Sequence, residues 1–208
     1  PYRQPNAAGR EKDPLEAFLP ASAAPGIMPA LAPPSARDTG RKMAAEPQGA
    51  SPAPRWPAEV FAVLKAFDVR QVPYVPDGGL IELIRAVQED PQMRAIPLTT
   101  EEEGVAMAAG AWLGGERSAL LMQSSGVGNC VNMLSLIKTC RFPFLTLVTM
   151  RGEWGEFNPW QVPMGQATPA CLEMMGVQLL RVDHPEDAAE TVRAGAMTAY
   201  EGGSAVAV

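Results

Sequence analysis

From Trp56 to Val208, short apolar runs alternate with amphipathic stretches. The runs Val72–Val75, Arg94–Leu98, Ala119–Met122, Phe144–Thr149, Gln178–Val182 and Ala205–Val208 read as strands. Phe144-Leu145-Thr146-Leu147-Val148 lacks clean polar alternation, the mark of a strand covered on both faces. Between the runs, 57–67, 79–89, 101–114, 128–137, 168–175 and 185–200 read as helices. Strand–helix alternation predicts a three-layer α/β fold: a mostly parallel sheet with helices on both faces. Ligands on such sheets bind beyond the carboxyl ends of the strands, so chemistry is expected in the loops gathered there. The sequence shows no internal repeat.

Residues 1–56 are different, and they are read as a separate N-terminal arm before a domain spanning 57–208. The first 57 positions hold 12 of the 21 prolines, together with 13 alanines. Proline fixes φ and removes a backbone donor, so this stretch forms neither regular helix nor sheet. Its apolar segment, Leu15 to Leu31, is broken by Pro20, Pro25 and Pro29, which argues against a signal peptide. Met43, after Arg41-Lys42, is an alternative start. Two expectations stand for the arm: a disordered tail, or a strap using Phe18, Leu19, Ile27, Met28 and Leu31 to dock on a neighbouring subunit.

Composition narrows the function classes. A hydrophobic share of 47% fits a chain with a buried core. A formal charge of −6 gives no footprint for nucleic acid, whose phosphates demand clustered Lys and Arg. No uninterrupted apolar run reaches membrane-spanning length. Cys130, Cys140 and Cys171 form neither a metal-ligand pattern nor a disulfide framework, so a reducing, cytoplasmic setting is expected. The single histidine, His184, is read as structural.

Four loops carry the candidate chemistry. In Leu98-Thr99-Thr100-Glu101-Glu102-Glu103-Gly104, Thr100 and Glu103 have the spacing of a capping box, and the other acids suit the positive end of a helix dipole. The small residues Gly104, Ala106, Ala108, Ala109, Gly110 and Ala111 imply that another surface approaches this helix closely. Gln123-Ser124-Ser125-Gly126-Val127-Gly128-Asn129 is either a tight turn or a glycine loop admitting a ligand. It matches neither the Gly-x-Gly-x-x-Gly fingerprint nor a P-loop. Val75-Pro76-Asp77-Gly78-Gly79 is turn chemistry or a ligand rim. Met150 to Gly165 is too long for an idle connection, and its two tryptophans and one phenylalanine suggest binding to a ligand or partner.

Taken in order, Val-Pro-Asp, Thr-Glu-Glu-Glu-Gly-Val-Ala-Met-Ala-Ala-Gly, Met-Gln-Ser-Ser-Gly-Val-Gly-Asn and Gln-Val-Pro-Met-Gly resemble one family. It is the pyrimidine-binding (PYR) domain of thiamine-diphosphate-dependent 2-oxo acid decarboxylases. The likeness is greatest to sulfopyruvate decarboxylase alpha subunits and phosphonopyruvate decarboxylases, and it covers roughly Trp56 to Val208. In that family a glutamate nine residues before the glycine of Ala-x-Gly touches the cofactor's aminopyrimidine; counting back from Gly110 gives Glu101. The resemblance implies that Glu101 is catalytic, its carboxyl holding a ring nitrogen so that the ring can move a proton. Gln123, Ser125, Gly126 and Asn129 would join Glu101 in binding the cofactor. Pro76, Asp77, Gln123, Arg151 and Gln161 would face the substrate.

The family's second domain carries Gly-Asp-Gly and a downstream Asn, which hold magnesium and diphosphate. This sequence has no Gly-Asp-Gly. The resemblance therefore implies half an active site, completed in a hetero-oligomer by a beta-type subunit that holds Mg2+ and the diphosphate of thiamine diphosphate. The implied reaction is decarboxylation of an anionic 2-oxo acid such as 3-sulfopyruvate, releasing CO2 and an aldehyde, with phosphonopyruvate as the alternative. Arg151 is either the bidentate partner of the substrate's anion or the ion-pair partner of Glu153 or Glu156. A reading from another class is a non-catalytic α/β ligand-binding or scaffold subunit.

Overall fold

The computed structural model describes residues 55–208. The proposed arm, apart from Arg55 and Trp56, lies outside the described residues. Helix α1 (Trp56–Ala66) leads into β1 (Val69–Tyr74), and a short 3-10 turn (Gly78–Leu80) precedes α2 (Ile81–Glu89). Then follow β2 (Arg94–Pro97), α3 (Glu101–Leu113), β3 (Arg117–Gln123), α4 (Ser124–Cys130), α5 (Ser135–Cys140) and β4 (Phe144–Thr149). The chain continues through α6 (Gln161–Met174), β5 (Gln178–Leu179), α7 (Ala188–Ala196) and β6 (Ala205–Ala207). All ladders are parallel, in the order β2-β1-β3-β4-β6-β5.

The pleat divides the apolar strand residues between two cores. Ala119 and Leu121 of β3, with Leu145 and Leu147 of β4, join Val60, Val63 and Leu64 of α1, Leu83, Ile84 and Val87 of α2, and Val192 and Ala196 of α7. Leu120 and Met122 of β3, with Phe144 of β4, join Val105 and Ala108 of α3, Val127 and Cys130 of α4, and Leu172 of α6. A sheet buried on both faces explains the lack of alternation in β4, and the three-layer α/β expectation holds. Pro57 sits in the first turn of α1, where its missing N–H has no intrahelical partner to lose.

Two departures from the sequence reading matter for function. Helix α4 starts at Ser124, directly after β3, so Gly126 and Gly128 are helical rather than part of a loop. Helix α6 starts at Gln161 rather than 168, because Pro163 falls in its first turn and needs no acceptor. The segment before it shrinks to Met150–Trp160. The small residues of α3 also have a local cause. A Cβ on Gly104 would come within 2.4 Å of Leu120 Cδ1, so this glycine lets α3 lie on its own sheet. Ala108, Ala109 and Ala111 are likewise buried. Ala106 and Gly110 are exposed, so the close approach expected of a second surface is confined to that side.

Candidate active site

The strand order reverses beside β1: β2 lies on one flank, and β3 with everything after it on the other. At such a switch point the crossovers leave to opposite faces and open a crevice past the strand ends. Asp77 stands three residues after β1 and Gln123 closes β3. They meet there: Gln123 Nε2 donates to Asp77 Oδ1 at 3.1 Å. Ser125 Oγ donates to Gln123 Oε1 at 2.9 Å, fixing which end of the amide faces Asp77. Thr149, the last residue of β4, donates its hydroxyl to the other Asp77 oxygen. The network thus ties together the ends of β1, β3 and β4. Gly79 leaves room for it, since a Cβ there would lie 2.9 Å from Thr149 Cγ2.

Glu101 is the first residue of α3, and its residue exposure is only 7%. Its Oε2 accepts Asn129 Nδ2 at 2.9 Å, from the far end of α4. Its carboxyl group rests against Gly126: a Cβ there would come within 2.3 Å of Glu101 Cδ and 2.4 Å of Oε1. Gly126 has no positive φ. Its missing side chain, rather than backbone freedom, is what the site uses. The three acids divide: Glu101 turns inward, while exposed Glu103 accepts the backbone N–H of Thr99 at 3.0 Å. The expected capping box does not form: Glu103 accepts from Thr99 rather than from the N-cap Thr100, and the Thr100 side chain makes no cap hydrogen bond.

Arg151 is committed elsewhere. Its Nε and Nη2 donate to the two oxygens of Glu156 at 2.7 and 2.6 Å. Glu156 also accepts the N–H groups of Gly152 and Asn158, at 3.0 and 2.9 Å. Pairing with Arg151 first, then these amides, holds the Glu156 carboxyl down at about 2. Gln161 opens α6, half-buried, and Pro76 is exposed next to Asp77. The structure therefore brings together Glu101, Gly126 and Asn129 in one group and Asp77, Gln123 and Ser125 in another. Arg151 is joined to the second helix layer through its N–H, which donates to Ser124 Oγ at 2.9 Å. Thr149 was not singled out from sequence, although its place at the carboxyl end of a strand was a usable signal. Glu156 as the partner of Arg151 was one of the alternatives open from sequence, whereas its acceptance of the Gly152 and Asn158 N–H groups had no signal.

Cys130 lies in the core beside this site, and burial first, then the charges of Glu101 and Glu102, push its thiol up to about 12. The thiolate is the reactive form, so Cys130 should resist alkylation at pH 8 while exposed Cys140 reacts. Mass mapping after brief iodoacetamide treatment checks this; labelling of Cys130 at the rate of Cys140 would contradict the burial.

The one buried acid among the described residues stands beside the switch point of a parallel sheet, where α/β proteins bind their ligands. Residues 58–158 match the family of thiamine pyrophosphate enzymes, N-terminal TPP binding domain. The sulfopyruvate decarboxylase subunit alpha of Methanocaldococcus jannaschii is 33% identical over 143 residues, covering 68% of this chain and 85% of that one. Its counterpart in Methanothermobacter thermautotrophicus is 38% identical over 134 residues, covering 64% and 81%. A phosphonopyruvate decarboxylase of Streptomyces viridochromogenes is 38% identical over 123 residues, covering 58% of this chain and 31% of that protein. Among solved structures, the 2-oxoglutarate:ferredoxin oxidoreductase of Magnetococcus marinus superposes with a TM-score of 0.57 at 14% identity, covering 74% of this chain and 28% of that one, a likeness of fold. The chain belongs to the thiamine-diphosphate enzyme family, in the group that contains the sulfopyruvate and phosphonopyruvate decarboxylases.

Proposed function

We propose that this chain is the pyrimidine-binding subunit of a two-subunit thiamine-diphosphate-dependent decarboxylase acting on an anionic 2-oxo acid, first among them 3-sulfopyruvate. The observation that carries the reading is Glu101: a buried carboxyl, gripped at one oxygen by Asn129 and seated in the space left by Gly126. That donor set fits an aminopyrimidine, which offers a ring nitrogen to a carboxyl group. When bound, thiamine diphosphate supplies the carbon nucleophile and the electron sink for CO2 loss.

The chain's own residues have narrower tasks. Glu101 holds and exchanges a proton at the ring nitrogen. Asn129 orients Glu101, while Gly126 leaves its volume free. Gln123, set by Ser125 and Asp77, presents polar atoms at the ends of β1 and β3. Pro76 and Gln161 line the approach. Arg151 binds the sulfonate or phosphonate only if the anion displaces Glu156 from its fork; otherwise the anion is met by the partner.

Diphosphate and Mg2+ are assigned to a beta-type subunit in a hetero-oligomer. Among the described residues no three His, Cys, Asp or Glu side chains stand together as a metal site. Among them, too, no helix is long and apolar enough to cross a membrane. All three cysteines are free thiols, which supports a cytoplasmic setting.

The test is co-expression with a beta-type subunit carrying Gly-Asp-Gly, followed by aldehyde release from a panel of 2-oxo acids. The complex should turn over sulfopyruvate ahead of phosphonopyruvate and pyruvate, and this chain alone should turn over none. Tight, magnesium-dependent binding of thiamine diphosphate to this chain alone would overturn the split site. A stable complex inert to every acid would favour the scaffold reading.

A further inference from the structure

Three large aromatic side chains stand out within seven residues of the loop after β4. Trp154 is 100% exposed, Phe157 82% and Trp160 70%. Single exposed apolar residues need no explanation, but a cluster of this size does. The loop that carries them is not slack. The Glu156 side chain, only 5% exposed, gathers four donors: two from Arg151 and the N–H groups of Gly152 and Asn158. The Arg151 guanidinium also lies 5.4 Å from the centre of the Phe157 ring, which fixes one face of that ring.

Both ends of the loop are fastened to α6. Gly152, at φ +76°, passes so near the helix that a Cβ would lie 2.3 Å from Gln161 O. A Cβ on Gly165 would lie 1.9 Å from Arg151 O. At the other end, Gln161 N donates to Asn158 O at 2.9 Å. The aromatics are therefore displayed on a prefixed frame. A surface fixed before binding loses less freedom on association than a flexible one.

We propose that the Met150–Trp160 loop is a preformed docking surface for the subunit that completes the active site. This rests on the reading of the chain as half of a split thiamine-diphosphate enzyme. Three observations select that occupant. The first is continuity: Arg151 N–H is held by Ser124 Oγ at the start of α4, and Met164 of α6 lies against Gly128, next to Asn129. The loop, through Ser124 and α6, and Gly126 and Asn129, the two residues that hold Glu101, are thus mounted on neighbouring helices, α6 and α4, so a chain reaching over α4 can also cover the loop.

The second is area. Three large aromatics bury roughly 450–750 Å² when covered, a large part of the ~800 Å² that one side of a stable interface contributes. The third is charge. Arg151 is paired with Glu156, and Arg181 bonds both oxygens of Glu153. Arg181 also bonds Asp183 at 2.7 Å, so both cations beside the aromatics are already paired with acids of this chain. Recognition here is apolar, and the partner should offer an uncharged pocket rather than a charged patch.

The experiment uses the full chain and a beta-type subunit carrying Gly-Asp-Gly, co-expressed from the same genome. The variant Trp154→Ala/Phe157→Ala/Trp160→Ala truncates only exposed side chains, so its circular dichroism and urea midpoint should match wild type. Its dissociation constant for the partner should rise at least about 30-fold, with hot-spot aromatics as the guide. Glu156→Gln keeps the aromatics but loosens the frame, and should weaken the complex less, by about 3–10-fold. Raising salt from about 50 to 500 mM should change wild-type affinity less than threefold, as expected for an uncharged contact.

Unchanged partner affinity in the triple variant overturns the proposal. So does loss of self-association of this chain with partner binding intact, which would assign the loop to a second copy. Unchanged affinity with a raised KM for the 2-oxo acid would make the loop a cover for this chain's own site, again overturning it. Glu101→Gln run in parallel separates the two ideas: normal turnover by that variant defeats the functional reading, whereas partner affinity reports on the loop alone.

Discussion

Glu101→Gln should lower aldehyde release by the assembled enzyme by roughly 10²–10⁴-fold, the usual worth of a positioned proton-transfer group. The amide has almost the shape of the acid, so the contact with Gly126 and a hydrogen bond to Asn129 can persist. Subunit affinity and the unfolding midpoint should then stay near wild type. What the amide lacks is the ability to give and retake a proton. Glu102→Gln is the control, since it is Glu101 and not Glu102 that accepts from Asn129 and fills the space at Gly126. Steady-state assay of both variants in the complex checks the assignment. A dead Glu102→Gln beside an active Glu101→Gln would move the catalytic acid by one position and remove the basis of the site.

Gly126→Ala is the smallest change expected to disable the site. The new methyl group would lie 2.3–2.4 Å from Cδ, Cγ and Oε1 of Glu101, far inside contact distance. Something must move, and the carboxyl group is the movable part. Its displacement by about 1 Å is enough to lower turnover by roughly 10²-fold. Overpacking should also cost about 1–3 kcal/mol of stability. Gly110→Ala gives the contrast: nothing lies within 4 Å of the added carbon on the exposed side of α3. There the change should raise stability by about 0.5–1 kcal/mol, through better helix propensity. Urea unfolding of both variants and turnover of the first are the measurements. Full activity in Gly126→Ala would mean that Glu101 need not sit where the structure puts it.

Much of this site was legible in the chain. Strand β4 was read with its observed bounds, because a run buried on both faces is apolar from end to end. The loops holding Asp77, Glu101 and Gln123 were marked because they follow strands, and a parallel sheet collects its loops at one edge; choosing Glu101 among three adjacent acids took the family resemblance and the nine-residue count back from Gly110. Other features were hidden because glycine and proline carry two meanings. Gly126 and Gly128 suggested a loop, yet both lie in α4, where Gly126 serves Glu101 twenty-five residues away. Met150 to Gly165 was read as one long connection, yet α6 begins at Gln161 with Pro163 in its first turn. Gly104 and its alanine neighbours suggested a foreign surface, and the nearest surface proved to be Leu98 and Leu120 of the same chain. Arg151 was left open between a substrate anion and an acid, and it is bonded to Glu156. Such choices depend on distances between remote residues, which periodicity does not encode.

Glu101 and Gly126 belong to different crossovers, one after β2 and one after β3, yet one fills the space that the other leaves. That complementarity makes them a two-letter signature for sorting genomes. A related gene that keeps the acid but carries any side chain at the second position has lost the seat for its carboxyl group. One that keeps the glycine but has lost the acid has an empty notch in α4. On the role proposed for Glu101, neither residue alone marks a copy with a seated acid; the two positions read jointly should, before any protein is made.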